Sequence, residues 1–566
     1  MNILGLSCYY HDSATCLLKD GEIIAAAQEE RFNREKYSSV FPLNAANFCL
    51  QAGDLTIYDI DYICFYEKPF LKFSRVILRH LRSYPFSLKN FLDTTPSWLA
   101  DRLILPIVLK RELGYERKTF FIKHHLSHAA SAFLVSPYEE AAILTADGVG
   151  EWATTTLGFG RGNNIKIFKE IIYPDSLGLL YAIITTYLGF KVFEGEGKVM
   201  GLSAYGKPKY LNKFREIITV KSDGSFKLDM AFFAFNKGLK MYSKRLVEAF
   251  GKERNSEDKI EERHCDIAAS LQVFIEETLI TIARNLYNET RVNNLCLAGG
   301  VFLNCVANGK ILEETPFKEI FIQPAAGDSG GALGAASYLY HSVLGNKRNY
   351  IMKDAYFGPD FSLNQIERIL INLGIKFKRL SDPELTKYIA KKLSEDKTIG
   401  WVQGKMEWGP RALGNRSILA NPCNPDMKDI LNAKIKKRES FRPYAPAVLE
   451  ERAGEFFQLK TSSPFMLLAS RVIEGKKATI PAVTHVDGTA RVQTVSKQTN
   501  PRFWQLIKEF ENITGVPVVL NTSFNLRGEP IVCTPEEAID CLQRSQMDYL
   551  VLENYIIEKN LSKEAT

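Results

Sequence analysis

Lys123-His124-His125-Leu126-Ser127-His128 sets two histidines, His124 and His128, four residues apart. On a helix that spacing stacks both imidazoles on one face, one turn apart, where two ring nitrogens can bind one metal ion. The alanine- and serine-rich continuation predicts a helix over 124–135. A strand follows, Ala141 to Ala146, ending in Asp147-Gly148-Val149-Gly150, with Thr154 to Phe159 as its hairpin partner. A carboxylate at a strand end beside glycine is exposed, and the backbone there can approach a ligand. A histidine pair alone is more often structural than ligating; the Asp-Gly strand end tilts the reading towards metal.

Downstream, Leu295-Cys296-Leu297-Ala298 reads as a buried strand closed by Gly299-Gly300, with a helix starting at Val301-Phe302-Leu303-Asn304. Strand, Gly-Gly and helix make a nucleotide site, because the glycines admit a phosphate to the helix N-terminus. A second strand, Glu319 to Gln323, ends in a glycine loop that carries Asp328, the fourth metal ligand. His124, His128, Asp147 and Asp328 suit iron, manganese or zinc, whereas a purely structural site prefers thiolates. Glu194 to Leu202, which includes Lys198, is a glycine-studded loop running into a helix, either an anion cradle or an ordinary surface loop.

Upstream, residues 2–8 form a strand and Tyr10-His11-Asp12-Ser13-Ala14 a polar loop. Thr15 to Lys19 and Glu22 to Ala27 form a hairpin turning at Asp20-Gly21. Actin-like ATPase folds open this way, with the loop facing phosphate or substrate. Glu29 to Lys36 is dense in charge and reads equally as a solvated helix end or a substrate-facing segment. Residues 68–118 hold eleven Lys/Arg and four Asp/Glu, 11 − 4 = +7, equal to the net charge of the chain. Lys68, Lys72, Arg75, Arg79 and Arg82 fall near one helical face, which predicts a helical insertion with a solvated basic side. Recruitment of an anionic partner, RNA or a lipid surface is the lesser reading.

The first unit is expected to span 1–345, a connector 346–361 and a second unit 362–566. In the second, Ser362 and Gln365 form a capping box and Asp382-Pro383 caps another helix. A strand, Thr398 to Gln403, leads into Glu407-Trp408-Gly409-Pro410-Arg411-Ala412-Leu413-Gly414. Lys434, Lys436, Lys437, Arg438 and Arg442-Pro443 follow, then Arg491, then a strand from Val516 to Leu520 ending in Asn521-Thr522-Ser523-Phe524-Asn525, and Arg527. Cations fixed at strand ends and turns beside Trp408, Phe441 and two prolines make a shaped pocket for phosphate.

Size and composition set bounds. The 566 residues exceed one core. The ten cysteines include no C-x-x-C pair and read as buried thiols of a reducing compartment. There is no signal-peptide pattern at the start and no apolar run long enough to span a bilayer, so a cytoplasmic location is expected. No internal repeat is evident.

Together these motifs resemble the O-carbamoyltransferase family that includes the nodulation-factor, tobramycin and cephamycin carbamoyltransferases. The resemblance runs through His11-Asp12, the histidine pair, Asp147-Gly148, Lys198 to Leu202, Gly299 to Asn304 and Gly327 to Gly330. It continues through Gly409 to Gly414, Phe441-Arg442-Pro443 and Asn521 to Asn525. It implies an α/β protein: an actin-like ATPase domain similar to the threonylcarbamoyl-transferring tRNA-modification protein, then an α/β YrdC-like domain. It implies that the second domain makes carbamoyl-adenylate from carbamoyl phosphate and ATP, supplied as Mg-ATP. The first would then pass the carbamoyl group, at a divalent metal that is iron in some members, to a hydroxyl of a small molecule, a natural product or saccharide. By this resemblance His124, His128, Asp147 and Asp328 match the metal ligands; Arg411, Lys436, Arg442, Arg491 and Arg527 match the adenylate-forming cations. Lys198, Gly299, Gly300, Asn304 and Asn521 match nucleotide-binding positions, and His11 and Asp12 lie where the acceptor reacts. A tRNA-modification or RNA-binding factor is the alternative, supported by residues 68–118; a kinase-like ATPase would not need the arginine pocket. The acceptor, the metal and whether the chain forms a homodimer stay open.

Overall fold

β1 (Asn2–Ser7), β2 (Ala14–Lys19) and β3 (Glu22–Gln28) form an antiparallel meander, and β4 (Tyr62–Phe65) and β5 (Thr119–Phe121) extend it in parallel beyond β1. The order is β3-β2-β1-β4-β5. Asp20 and Gly21 both have positive φ, as a two-residue hairpin turn of the primed type requires. The computed structural model describes residues 1–84, 87–235 and 240–559.

A second sheet repeats the first. β6 (Glu140–Ala146), β7 (Ala153–Arg161) and β8 (Asn164–Ile172) form the meander. After a separate small hairpin of β9 (Ile218–Val220) and β10 (Phe226–Leu228), β11 (Asn294–Ala298) and β12 (Glu319–Ile322) add in parallel beyond β6. The order β12-β11-β6-β7-β8 mirrors that of the first sheet, strand for strand and direction for direction. The repeat is invisible in the sequence because the equivalent strands share only buried apolar character.

The repeat positions the chemistry. His11 and Asp12 lie in the loop after β1, and Asp147 lies in the equivalent loop after β6. A helix follows the last strand of each sheet: His124–Phe133 after β5 and Gly330–Ser337 after β12. These two helices pack against each other at Gly334, where an added Cβ would stand 1.8 Å from the Ser127 carbonyl oxygen.

Several expectations need correction. The 68–118 insertion is helical, with Pro69–Arg82, Leu88–Ser97 and Leu105–Leu113. Its basic side is only partly solvated: Lys68 and Arg82 are exposed, but Lys72 and Arg75 are 3% and 8% exposed, while Phe70, Leu81, Leu92 and Ile107 are exposed. Lys72 turns inward because Glu67 pairs with it at 2.5 Å. Val301-Phe302-Leu303 forms a 3-10 turn, and the α-helix begins at Cys305 with Asn304 as its cap. Ser381, not Asp382-Pro383, caps the helix Asp382–Ser394, reciprocally with Glu384.

The chain divides into two compact units, the first of Met1–Glu29 and Tyr37–Met352, the second of Glu30–Lys36 and the described residues from Lys353 onward. The connector is therefore not a free segment. Arg348 donates to the carbonyls of Phe133, Leu134, Ser136, Tyr138 and Gly162, which ties it into the first unit.

In the second unit, nine strands make one mixed sheet: β13 (Lys378–Arg379), β14 (Ile399–Val402), β15 (Arg416–Ala420), β16 (Ala445–Leu449), β17 (Leu468–Arg471), β18 (Thr489–Val495), β19 (Val518–Ser523), β20 (Tyr549–Leu552) and β21 (Tyr555–Glu558). The order is β13-β21-β20-β14-β15-β19-β16-β18-β17. The helix Pro501–Thr514 lays Phe503, Leu506, Ile507 and Phe510 into its core.

Candidate functional site

His124 opens its helix, and the Glu151 carboxylate takes its backbone N–H at 3.0 Å. An acid at a helix N-terminus is favoured by the dipole and supplies an acceptor for an orphan donor. His128 follows one turn later, and both rings are buried. His124 Nε2 stands 3.1 Å from His128 Nε2, 3.0 Å from Asp147 Oδ2 and 3.7 Å from Asp328 Oδ1. His128 Nε2 lies 3.4 Å from the same Asp147 oxygen and 3.6 Å from Asp328 Oδ1. The four donor atoms all lie within 4.8 Å of one another.

These residues fit a cation. Donors about 2.0–2.2 Å from a common centre stand roughly 3.0–3.5 Å apart. Both Asp328 oxygens are buried with no hydrogen-bond donor, a costly state for a carboxylate unless something positive engages it. Burial alone would raise Asp147, but hydrogen bonds from His124 and His128 hold it well below the usual carboxylate range. Burial would lower His128, and the two aspartates instead lift it to about 9.

Gly299 and Gly300 meet this centre from the strand end of β11. Gly299 has φ +105, and a Cβ there would fall 2.2 Å from the Ala146 carbonyl oxygen. Gly300 donates its N–H to Asp147 Oδ1 at 3.1 Å. The glycines thus let the chain close on Asp147 and fix its carboxylate. Asn304 caps its helix through Ala307 and exchanges hydrogen bonds with Gln272. Lys198 pairs with Glu194 at 2.9 Å.

His11 borders the cluster, with Nε2 3.7 Å from Asp328 Oδ2 and Nδ1 2.9 Å from Asp12 Oδ2. Burial lowers this ring, but the Asp328 charge and the Asp12 hydrogen bond bring it up to about 9. Tyr10 and Phe193 flank it, with centroids 4.8 and 4.3 Å away. Sequence reasoning missed Glu151 and Phe193; neither belongs to a spaced motif.

In the second unit, Glu407 organises the Gly409–Gly414 turn. Its Oε1 accepts the N–H groups of Leu413, Asn415 and Arg416 at 2.7, 2.8 and 3.1 Å. From the charged 29–36 segment, Arg31 donates to the Gly409 carbonyl at 2.9 Å. Glu30 and Arg31 are buried, so that run is not a solvated helix end. Asn521 donates to Gln493 and to the Ala412 carbonyl, joining β18, β19 and the turn. Arg491 lies two residues before Gln493 on β18, hence on the same face.

Arg438, Arg442 and Arg491 form a cationic group. Burial, then the Arg442 and Arg491 charges against the opposing Tyr444, draw Arg438 down to about 10. Arg411 is half-buried on the turn. Arg527 is exposed and donates to the Lys437 carbonyl at 3.3 Å. Lys436 differs from what the sequence suggests: its ammonium reaches the Ser523 and Asn525 carbonyls and the Asn525 side chain, so it fastens the strand-end turn. Burial, with Arg438 and Arg442, presses its pKa well down, and the Cys541 thiol opposes them.

Arg416, unremarkable in sequence, is fully buried and donates to the carbonyls of Pro359, Gln403, Gly404, Asn415 and Cys533. Arg416→Met leaves these oxygens unpaired. We expect a loss of at least about 3 kcal/mol in stability, read by urea unfolding of the purified variant.

Among the described residues no helix is long and apolar enough to cross a membrane. Residues 2–337 match the carbamoyltransferase N-terminus family model and residues 390–559 the carbamoyltransferase C-terminus model. An uncharacterized protein of Synechocystis is 47% identical over 99% of this chain and 97% of its own length. Nodulation protein NolNO of Sinorhizobium fredii is 39% identical over 97% of this chain and 79% of its own length. Nodulation protein U of Bradyrhizobium diazoefficiens is 29% identical over 100% and 99%. With both models matched in order along one chain, the protein belongs to the carbamoyltransferase family and is a transferase enzyme.

Proposed function

We propose that the second unit makes carbamoyl-adenylate and that the first unit transfers its carbamoyl group to a hydroxyl of a small molecule at the His124–His128–Asp147–Asp328 cluster. The buried, donor-free carboxylate of Asp328 facing two histidines is the observation that carries the reading. The duplicated five-stranded sheets support an actin-like ATPase domain, with the Gly299–Gly300 turn as its nucleotide contact.

In the second unit, water cleaves carbamoyl phosphate to carbamate and inorganic phosphate, the carbamate oxygen attacks the α-phosphorus of ATP, and pyrophosphate leaves. The reactants crowd negative charge together. Arg438, Arg442 and Arg491, with Arg411 and Arg527, offset that charge as it builds on the departing group. Lys436 and Asn521 hold the strand-end turns that aim these cations.

In the first unit, His124, His128, Asp147 and Asp328 would hold a divalent cation, iron by the resemblance, and that cation would supply Lewis acidity to the bound adenylate. His11 Nε2 faces the cluster and, in its neutral form, accepts the acceptor's proton. Asp12, on Nδ1, orients the ring. General-base help of this kind contributes on the order of 10²–10⁴ in rate.

The comparisons give the RNA reading no support, and two of its basic residues, Lys72 and Arg75, face inward. The test is mass spectrometry of the protein with ATP and carbamoyl phosphate, no acceptor present, alongside pyrophosphate assay. Pyrophosphate that requires carbamoyl phosphate, with a carbamoyl-AMP mass, is expected. ADP in place of pyrophosphate would overturn the reading.

A further inference from the structure

Arg75 sits on the inner face of the helix Pro69–Arg82 with 8% of its surface exposed. Its guanidinium covers the Tyr173 ring at 5.1 Å. Among the described residues no carboxylate pairs with it, and its buried Nε finds no acceptor. Glu67, whose field reaches it, is already held by Lys72 at 2.5 Å. Arg79, one turn on, adds positive charge and uses Nη2 on the Phe235 carbonyl. A buried cation without a counter-charge is costly to the fold, and such a cost persists where a ligand offsets it.

This charge borders the transfer site. Lys72, three residues before Arg75, places Nζ 5.0 Å from the Tyr10 ring centroid, and Tyr10 stands 4.8 Å from His11. The Tyr10 hydroxyl is raised first by burial, then by Asp328 and Asp147, with Arg75 opposing, so all three charges are felt at one oxygen. Tyr10 and Phe193 are 36% and 41% exposed and meet edge-to-face 5.9 Å apart, an aromatic corner beside His11. A molecule resting there with a hydroxyl at His11 carries its far end towards Arg75. The guanidinium fork matches a carboxylate or phosphate.

We infer that the acceptor is an anionic hydroxylated molecule whose carboxylate or phosphate is bound by Arg75, beside Tyr10 and Tyr173, while its hydroxyl meets His11. The inference rests on reading the His11 and metal-ligand cluster as the transfer site. Loss of transfer with pyrophosphate release kept in His128→Ala tests that parent reading separately.

The experiment compares thermal unfolding of the full-length wild type, Arg75→Met and Arg75→Lys. The probes are glucuronate, glucose 6-phosphate and glycerol 3-phosphate, with glucose and glycerol as neutral partners and AMP as the donor-side phosphate, each at about 10 mM. At least one anionic probe should raise the wild-type midpoint by roughly 2–4 °C over its neutral partner. Arg75→Met should abolish that shift and Arg75→Lys keep part of it. In probe-free buffer Arg75→Met should unfold no lower than wild type, since it removes an unpaired buried charge. Three results would overturn the inference: no anionic probe separating wild type from Arg75→Met, AMP alone doing so, or Arg75→Met unfolding several degrees lower in plain buffer.

Discussion

His128→Ala is expected to cut carbamoyl transfer by on the order of 10³ while leaving pyrophosphate release from ATP and carbamoyl phosphate near the wild-type rate. His128 Nε2 contacts both aspartates of the cluster, at 3.4 and 3.6 Å, so its removal opens the donor set on the side both carboxylates share. Metal content by elemental analysis should fall in parallel. The cations proposed to form the adenylate belong to the second unit, and His128 to the first. A folding defect would lower both half-reactions together. The diagnostic result is therefore the split: product mass lost, pyrophosphate kept. Equal loss of both steps, with circular dichroism unchanged, would defeat the division of labour between the two units. Unchanged transfer would remove the cluster from the chemistry.

The cluster of His124, His128, Asp147 and Asp328 was legible because each member sits at a position with a local signature. His124 and His128 carry the helical spacing, while Asp147 and Asp328 stand where apolar strands run out into glycine. The hairpin at Asp20-Gly21 was legible for the same reason. What stayed hidden depends on groups that arrive from far along the chain. Periodicity puts Lys72 and Arg75 on one helix face but cannot say which way that face turns. A cationic face ordinarily points outward, and here Glu67, Tyr10 and Tyr173 receive it. Likewise the sequence could not choose among Lys434, Lys436 and Lys437. Lys434 and Lys437 are exposed and Lys436 is turned into its neighbours' carbonyls, leaving Arg438 to stand with Arg442 and Arg491. Glu407 and Arg416 are invisible by pattern, since their partners are backbone groups brought together by the fold. The sheet repeat escaped notice because burial constrains apolar character and leaves residue identity free.

Arg442→Ala is expected to abolish carbamoyl-phosphate-dependent pyrophosphate release, by at least about 10², and with it transfer from ATP and carbamoyl phosphate. Freshly prepared carbamoyl-adenylate, added directly, should restore transfer to the variant. The expectation follows from position. Arg442 is half-buried, its nearest acidic contact is Glu439 at a loose 3.9 Å, and its charge is felt by Arg438 along with that of Arg491. A phosphate entering beside Arg442 gains a guanidinium as counter-charge, and gains further as charge accumulates on departing pyrophosphate. Arg442→Lys keeps the charge but loses the planar fork, so its rate should fall between wild type and alanine. The variant should fold normally, because Arg442 is half-buried and its nearest acidic contact is long. Rescue is the decisive part. An Arg442→Ala protein that stays inactive with added adenylate would tie this arginine to the transfer step, and the arginine group would then have to be assigned to binding the adenylate rather than making it.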